Sequence, residues 1–207
     1  TSGESSMSKV SIKIDGGAID RAREMLSSVP GGVGKILPRA VNRALSAGRT
    51  QVSKSVREKY TVAAAEVKKT LQVNRASQSN PSGEIVSKGM QLPLRDFKHS
   101  PTDESTTGSK RRKVRVTIAK GNTFNLERGF KWRGHIFARR APGIKSRVYF
   151  DAKGKKRRGE PIKRLAGPSV PSMIESAAVE AVSGRMREVF EQRLQHEAEV
   201  LLEKIGK

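Results

Sequence analysis

Val114-Arg115-Val116-Thr117-Ile118 alternates apolar and polar side chains at every step. A period of two puts Val114, Val116 and Ile118 on one face and the polar residues on the other, which is the pattern of a half-buried strand. Similar short runs lie on both sides of it: Gly83-Glu-Ile-Val-Ser87, Leu92-Pro-Leu-Arg-Asp-Phe97, Gly134-His-Ile-Phe-Ala138 and Arg147-Val-Tyr-Phe150. Turn-rich stretches such as Asp151-Ala-Lys-Gly154 separate them. Residues 72–165 are therefore predicted to form an antiparallel sheet of about four to six strands. The stretch 99–112 is low in apolar residues and reads as a mobile loop.

Outside this middle the period changes. Val10-Ser-Ile-Lys-Ile-Asp15 is a further short strand, and Ala18 to Leu26 suits a short helix. From Pro38 to Tyr60, Ala40, Val41, Ala44, Leu45, Val52, Val56 and Tyr60 recur mostly at spacings of three and four, so a long helix is expected there. Pro38 suits its first turn, where a missing N–H is no loss. A second piece over residues 62–71 carries Ala63, Ala64, Val67 and Leu71 on one face. The C-terminal stripe runs from Met173 to Ile205, with Ser172 and Glu175 at capping-box spacing. One helix of about 34 residues would be about 50 Å long, more than a small domain needs. Part of its stripe, Met186, Val189, Phe190, Leu194 and Leu201, is the candidate packing interface with this chain or a neighbour. Gly184 is the one weak point inside it.

The switch from a period of 3.6 to 2 and back predicts an α+β fold: an antiparallel β-sheet flanked by long α-helices, with a long C-terminal helix. One domain is expected over residues 8–207, comprising strand and helices at 8–71, a basic β-rich middle at 72–165 and the long helix at 168–206. Residues 1–7 are set apart as a tag or disordered N-terminus, with Met7 read as the natural initiator.

Hydrophobic residues are 35% of the chain and aromatics 4%, so the core is expected to be modest and largely aliphatic. The 42 Lys and Arg against 20 Asp and Glu give a formal net charge of +22. Residues 111–164 hold 19 basic and 3 acidic groups, whereas residues 165–207 hold 5 basic and 7 acidic ones. Such asymmetry points to a localised surface for an acidic partner rather than to general solubility. The candidate contacts are Lys110, Arg111, Arg112, Lys113 and Arg115, then Lys153, Lys155, Lys156, Arg157 and Arg158. Each cluster could neutralise several phosphates or dock on an acidic protein ring. Phe130, Trp132, Phe137, Tyr149 and Phe150 lie near them and could stack on bases, although aromatics in alternating strands are more often core residues.

Catalysis finds little support. Cysteine is absent, which removes thiol chemistry, disulfides and cysteine zinc sites. His99, His135 and His196 have no metal-ligand spacing. Pro30-Gly-Gly-Val-Gly-Lys35 fails as a phosphate loop, because Val29 and Ile36 stand where glycine and a hydroxyl residue are needed. Asp103-Glu104 sits in a polar stretch with no pocket to shift a pKa. No enzyme activity, metal or cofactor is expected, and no run is long and apolar enough to span a membrane. No secretory signal is read at the start.

Several segments resemble the phage minor tail protein Z, or tail-completion, family. They are Ala40-Val-Asn-Arg-Ala44, Gly129-Phe130, His135-Ile-Phe-Ala-Arg-Arg140 and Pro161-Ile-Lys-Arg-Leu-Ala-Gly-Pro-Ser169, in the family's order over residues 38–205. The resemblance implies a structural virion protein that completes the head-proximal end of the tail and supports head–tail joining and DNA passage. It implies tail and neck partners (tail terminator, tail tube, head–tail connector), a homo-oligomeric ring of six copies, and assembly in a bacterial cytoplasm. Contact with DNA is a further expectation. The alternative from charge alone is a sequence-independent nucleic-acid-binding protein.

Overall fold

The computed structural model describes residues 8–14, 16–27, 32–102, 113–139, 147–159 and 162–205. The fold is α+β, and it divides into two compact units.

Among the described residues, the first unit combines five helices with one three-stranded sheet. Its elements are β1 (Ser8–Lys13), α1 (Gly16–Leu26), α2 (Gly32–Lys59), α3 (Ala64–Lys69), β2 (Leu71–Asn74), β3 (Glu84–Gly89), α4 (Val170–Ala177) and α5 (Val179–Ile205). β3 is the central strand and pairs antiparallel with both β1 and β2. Ile12 and Val73 both face Ile85 across it. Beside that pair, Thr70 and Ser87 join hydroxyls at 3.0 Å, which satisfies the buried Ser87.

The core of this unit lies where α2 packs along α5. Leu37, Ala40, Val41, Ala44, Leu45, Val52 and Val56 of α2 are fully buried, as are Val182, Met186 and Phe190 of α5. Gly48 makes this approach possible. A Cβ there would lie 2.6 Å from Met186 Cγ and Sδ and 2.9 Å from Ile85 Cδ1. Arg39 of α2 and Arg193 of α5 both reach the Glu197 carboxylate, at 3.5 and 2.8 Å. Asn42 is a clamp on the chain beyond β2. Its Nδ2 donates to the Ala76 carbonyl and its Oδ1 accepts from the Ala76 N–H, both at 2.9 Å. A side-chain amide thus replaces a backbone partner for a residue buried outside any ladder.

The helices depart from the sequence expectations at their ends. α2 starts at Gly32, so Pro38 lies inside it rather than in its first turn. The buried Ile36 and Leu37 extend the stripe backwards, and their burial offsets the hydrogen bond that Pro38 cannot donate. The piece expected over residues 62–71 is helical only at Ala64–Lys69, and Leu71 enters β2. The C-terminal helix is two helices, not one. Ala178 leaves helical geometry at φ −129°, while its N–H still reaches the Ile174 carbonyl at 2.8 Å. The break lets Met173 and Ile174 of α4 and Val182 of α5 all reach the core. The cap is Ser169, whose Oγ accepts from the Ser172 N–H at 3.3 Å, in place of the expected box at Ser172 and Glu175.

The second unit is strand-rich. It contains β4 (Gln91–Pro93), β5 (Lys98–Ser100), β6 (Val114–Thr117), β7 (Thr123–Leu126), β8 (Gly129–Trp132), β9 (His135–Arg139), β10 (Arg147–Phe150), β11 (Lys156–Gly159), β12 (Ile162–Arg164) and β13 (Ala166–Ser169). They form small sheets rather than the single one expected: β5-β6-β7, β8-β9-β12, β10-β11 and β4-β13. Tight turns prevent a long ladder. Arg133 and Gly134, both with positive φ, close the β8–β9 hairpin in two residues. Pro93 has no N–H to extend β4, and Leu94–Asp96 forms a 3-10 turn that buries Leu94. Part of the stretch expected to be a mobile loop is strand: His99 and Ser100 pair with Val116 and Arg115. The unit's core gathers Val62, Leu94, Phe97, Val114, Val116 and Ile136. Gly167 lies against the Phe97 ring, where a Cβ would come within 2.7 Å of Cε2.

Candidate functional site

The chain leaves β9 at Arg139 and returns beside it at Ile162, its partner in the ladder. Between these points lies the ribbon of β10 and β11, an antiparallel pair that forms an arm on the β9–β12 connection. Register gives the arm two faces, because directly opposed residues share a side. Val148 opposes Arg158 and Phe150 opposes Lys156 on one face, while Tyr149 opposes Arg157 on the other. Val148, Tyr149 and Phe150 are 44%, 51% and 69% exposed. Lys156, Arg157 and Arg158 opposite them are exposed as well.

Asp151 organises the tip. Its Oδ1 accepts from the N–H of Lys153 and of Lys155, both at 3.0 Å, and its Oδ2 accepts from Arg157 Nε at 3.0 Å. The Gly154 N–H returns to the Asp151 carbonyl at 2.9 Å, and Gly154 has a φ of 70°. This is a turn with Asp first and Gly last, which suits both residues. The Lys155 N–H and then the Arg157 side chain hold the Asp151 carboxyl below the usual aspartate range. One carboxylate therefore fixes the presentation of five cations, Lys153, Lys155, Lys156, Arg157 and Arg158, all exposed.

The first basic cluster is placed differently. Lys110, Arg111 and Arg112 lie outside the described residues, as do Asp103 and Glu104. Lys113 is exposed just before β6. Arg115 points outward from β6, between the buried Val114 and Val116. Of the helical candidates, Met186, Phe190 and Leu194 are buried within this chain and Val189 is half-buried. Leu201 belongs to α5, but its side chain is outside the described residues.

A second group of aromatics occupies β8 and β9. Phe130 and Phe137 stack at 5.7 Å, and Trp132 lies tilted against Phe137 at 6.0 Å. Arg139 sits over Phe130 and Arg133 over Trp132, at 4.8 and 4.7 Å. These rings are already faced by guanidinium groups. Tyr149 and Phe150 are the more open aromatics. His135 Nε2 meets Arg95 Nη1 at 3.3 Å, and its Nδ1 is buried without a partner among the described residues. Burial first, then Arg164 and Arg95, push its pKa down. His99 bonds the Phe97 carbonyl at 2.9 Å. No metal-binding cluster of acidic, histidine or cysteine side chains occurs among the described residues. Gly32 to Lys35 form the first turn of α2.

The sequence reading quoted Asn42 within Ala40–Ala44 and Asp151 within Asp151–Gly154 but missed the hydrogen-bonding role of each. Asn42 had a signal, a polar residue inside the apolar stripe of α2. Asp151 had one too, as the first residue of Asp151-Ala-Lys-Gly154.

No curated protein and no solved structure matches the chain. A family model, prophage minor tail protein Z (GPZ), matches residues 18–205. That span holds the arm, all of α5 and both units except β1 and the start of α1. The chain therefore belongs to the prophage minor tail protein Z family, whose name places it among the structural proteins of a phage tail and virion.

Proposed function

We propose that this minor tail protein completes the head-proximal end of the tail and supports head–tail joining and DNA passage, with residues 8–207 acting as one tail-completion domain. Its partners in this reading are the tail terminator, tail tube and head–tail connector. It works as a six-copy ring assembled in the bacterial cytoplasm, without catalysis. The observation that carries the reading is the β-arm. A two-stranded ribbon alone in water is marginally stable, and this one exposes Val148, Tyr149 and Phe150 beside five cations. An acidic neighbour would neutralise the cations and cover the apolar residues together. Such attraction steers docking and weakens with salt.

The test replaces Lys155, Lys156, Arg157 and Arg158 by serine and measures incorporation into tails and infectivity at two salt concentrations. Incorporation should fall, and the unsubstituted protein should approach the variant as salt rises. Normal incorporation and infectivity at both concentrations would make the arm a solvated tip. Tyr149 and Phe150 among the cations also favour a second reading, sequence-independent nucleic-acid binding. In that case the purified chain binds DNA tightly, with affinity falling steeply in salt.

A further inference from the structure

The two faces of the arm are not equivalent. On one, Arg157 is engaged by Asp151 beside Tyr149. On the other, Val148 and Phe150 lie opposite Arg158 and Lys156, and neither cation has an ion-pair partner among the described residues. A fitting partner offers carboxylates around a spot bare enough to receive the Phe150 ring.

The C-terminal region carries a slight excess of acid, 7 acidic against 5 basic groups over residues 165–207. On α5, Glu180, Gly184, Glu188 and Glu191 follow at steps that bring them to the side opposite the buried Val182, Met186 and Phe190. All four are exposed, with Ala181 beside them. Arg185 holds Glu188 at 2.7 Å, whereas Glu180 and Glu191 have no ion-pair partner among the described residues. Nothing among the described residues requires a glycine at 184. A Cβ there would meet nothing within 4 Å, yet a glycine inside a helix is unfavourable relative to alanine. A bare strip of helix backbone ringed by carboxylates complements a flat ring flanked by two cations.

We infer that the Val148–Phe150–Lys156–Arg158 face of the arm docks on the Glu180–Gly184–Glu188–Glu191 face of α5 in a second copy of this chain. The Phe150 ring covers Gly184, and Lys156 and Arg158 meet the glutamates. The two surfaces differ, so the contact is head-to-tail and propagates from copy to copy, closing into a ring where the rotation allows. This inference rests on the ring reading above and supplies its contact.

The test uses the purified full chain and sedimentation analysis. Unsubstituted protein should self-associate and come apart as salt rises. Gly184→Leu should weaken association by about tenfold or more without lowering the thermal unfolding midpoint measured at high salt, where the chain is monomeric, because a Cβ at this exposed helix position meets nothing within 4 Å. Lys156→Glu with Arg158→Glu should abolish association, and adding Glu188→Lys with Glu191→Lys should restore it. The absence of cysteine permits a direct check: Phe150→Cys with Gly184→Cys should give disulfide-linked multimers on oxidation, while either alone should not give a ladder. Unsubstituted protein that stays monomeric, association indifferent to Gly184→Leu, or failure of the reversed charges to restore it overturns the inference. So does an arm that binds DNA while association is unaffected by its charge reversal. Variants that associate normally but fail to enter tails would sink this contact and leave the tail role standing. Variants that lose association yet enter tails and support infection normally would keep the contact and remove the ring from the tail role.

Discussion

Phe190 of α5 is 1% exposed, whereas Phe150 of β10 is 69% exposed. Their surroundings differ in the same sense. Glu197 of α5 is met by Arg39 and Arg193, while Lys156 and Arg158 of the arm have no acidic partner among the described residues. In the helical unit, apolar side chains are buried against one another and charges are matched. In the arm, Val148, Tyr149 and Phe150 are exposed, and Lys156 and Arg158 are unmatched among the described residues. The contrast separates the part of the chain that holds the fold together from the part proposed above to meet a partner, and it can be broken experimentally.

The largest expected effect compares the two phenylalanines directly. Phe190→Ala should cost about 3–5 kcal/mol, since it empties a filled site between α2 and α5. Phe150→Ala should change the unfolding free energy by less than about 0.5 kcal/mol, because an exposed side chain loses little packing. Denaturant unfolding of both variants checks the pair. Similar losses would mean that the arm belongs to the core after all. A smaller effect is expected at Asn42. Asn42→Ala leaves the N–H and carbonyl of the buried Ala76 without their amide partner and should cost about 1–3 kcal/mol. Hydrogen exchange at the Ala76 amide should rise with it; unchanged exchange would show that water replaces the clamp.

The helical unit was more legible in the sequence than the strand-rich one. Ala40, Val41, Ala44, Leu45, Val52 and Val56 announce the buried side of α2, because a period near 3.6 over many residues has few other readings. The break at Ala178 had no such signal. Alanine favours helix, and the bend follows from what α4 and α5 pack against, which is tertiary. The alternation at Val114–Ile118 and Gly134–Ala138 marked β6 and β9, but not which strands pair with them. Pairing depends on turn geometry, such as the positive φ of Arg133, where arginine gives no warning. The basic clusters were visible as charge. That β10 and β11 form an arm exposed on both faces was not, since three successive apolar residues usually mean burial.

A still smaller and opposite effect is expected at Gly184. Gly184→Ala should stabilise the isolated chain by about 0.5–1 kcal/mol, from helix propensity alone, because the new methyl group touches nothing. Thermal unfolding at low protein concentration measures this without interference from association. A destabilised variant would show that Gly184 is needed for the helix itself and would weaken the case that its bareness serves a partner.

The smallest effect concerns the tip of the arm and depends on pH. The Lys155 N–H, the Arg157 side chain and the Lys153 N–H all favour the ionised Asp151. Its folded pKa therefore lies below that of an unfolded aspartate. Sign follows from proton linkage: the unfolded chain binds its proton first as pH falls, so ionised Asp151 contributes order to the tip fully above the unfolded pKa. That contribution fades through the acidic range below it and is gone once pH passes below the folded value. Near neutral pH the tip is unaffected. Following the Asp151 carboxyl together with the Lys153 and Lys155 amides by NMR should give one shared transition, below the midpoint of an ordinary aspartate. Asp151→Asn keeps an acceptor for the two amides and removes the charge that holds Arg157, so it should abolish the transition while keeping the turn. Titration at an ordinary aspartate value, or amides that do not move with the carboxyl, would mean that Asp151 does not organise the arm. The five cations would then be presented by a loose tip, and the ordered half of the contrast with α5 would have to be given up.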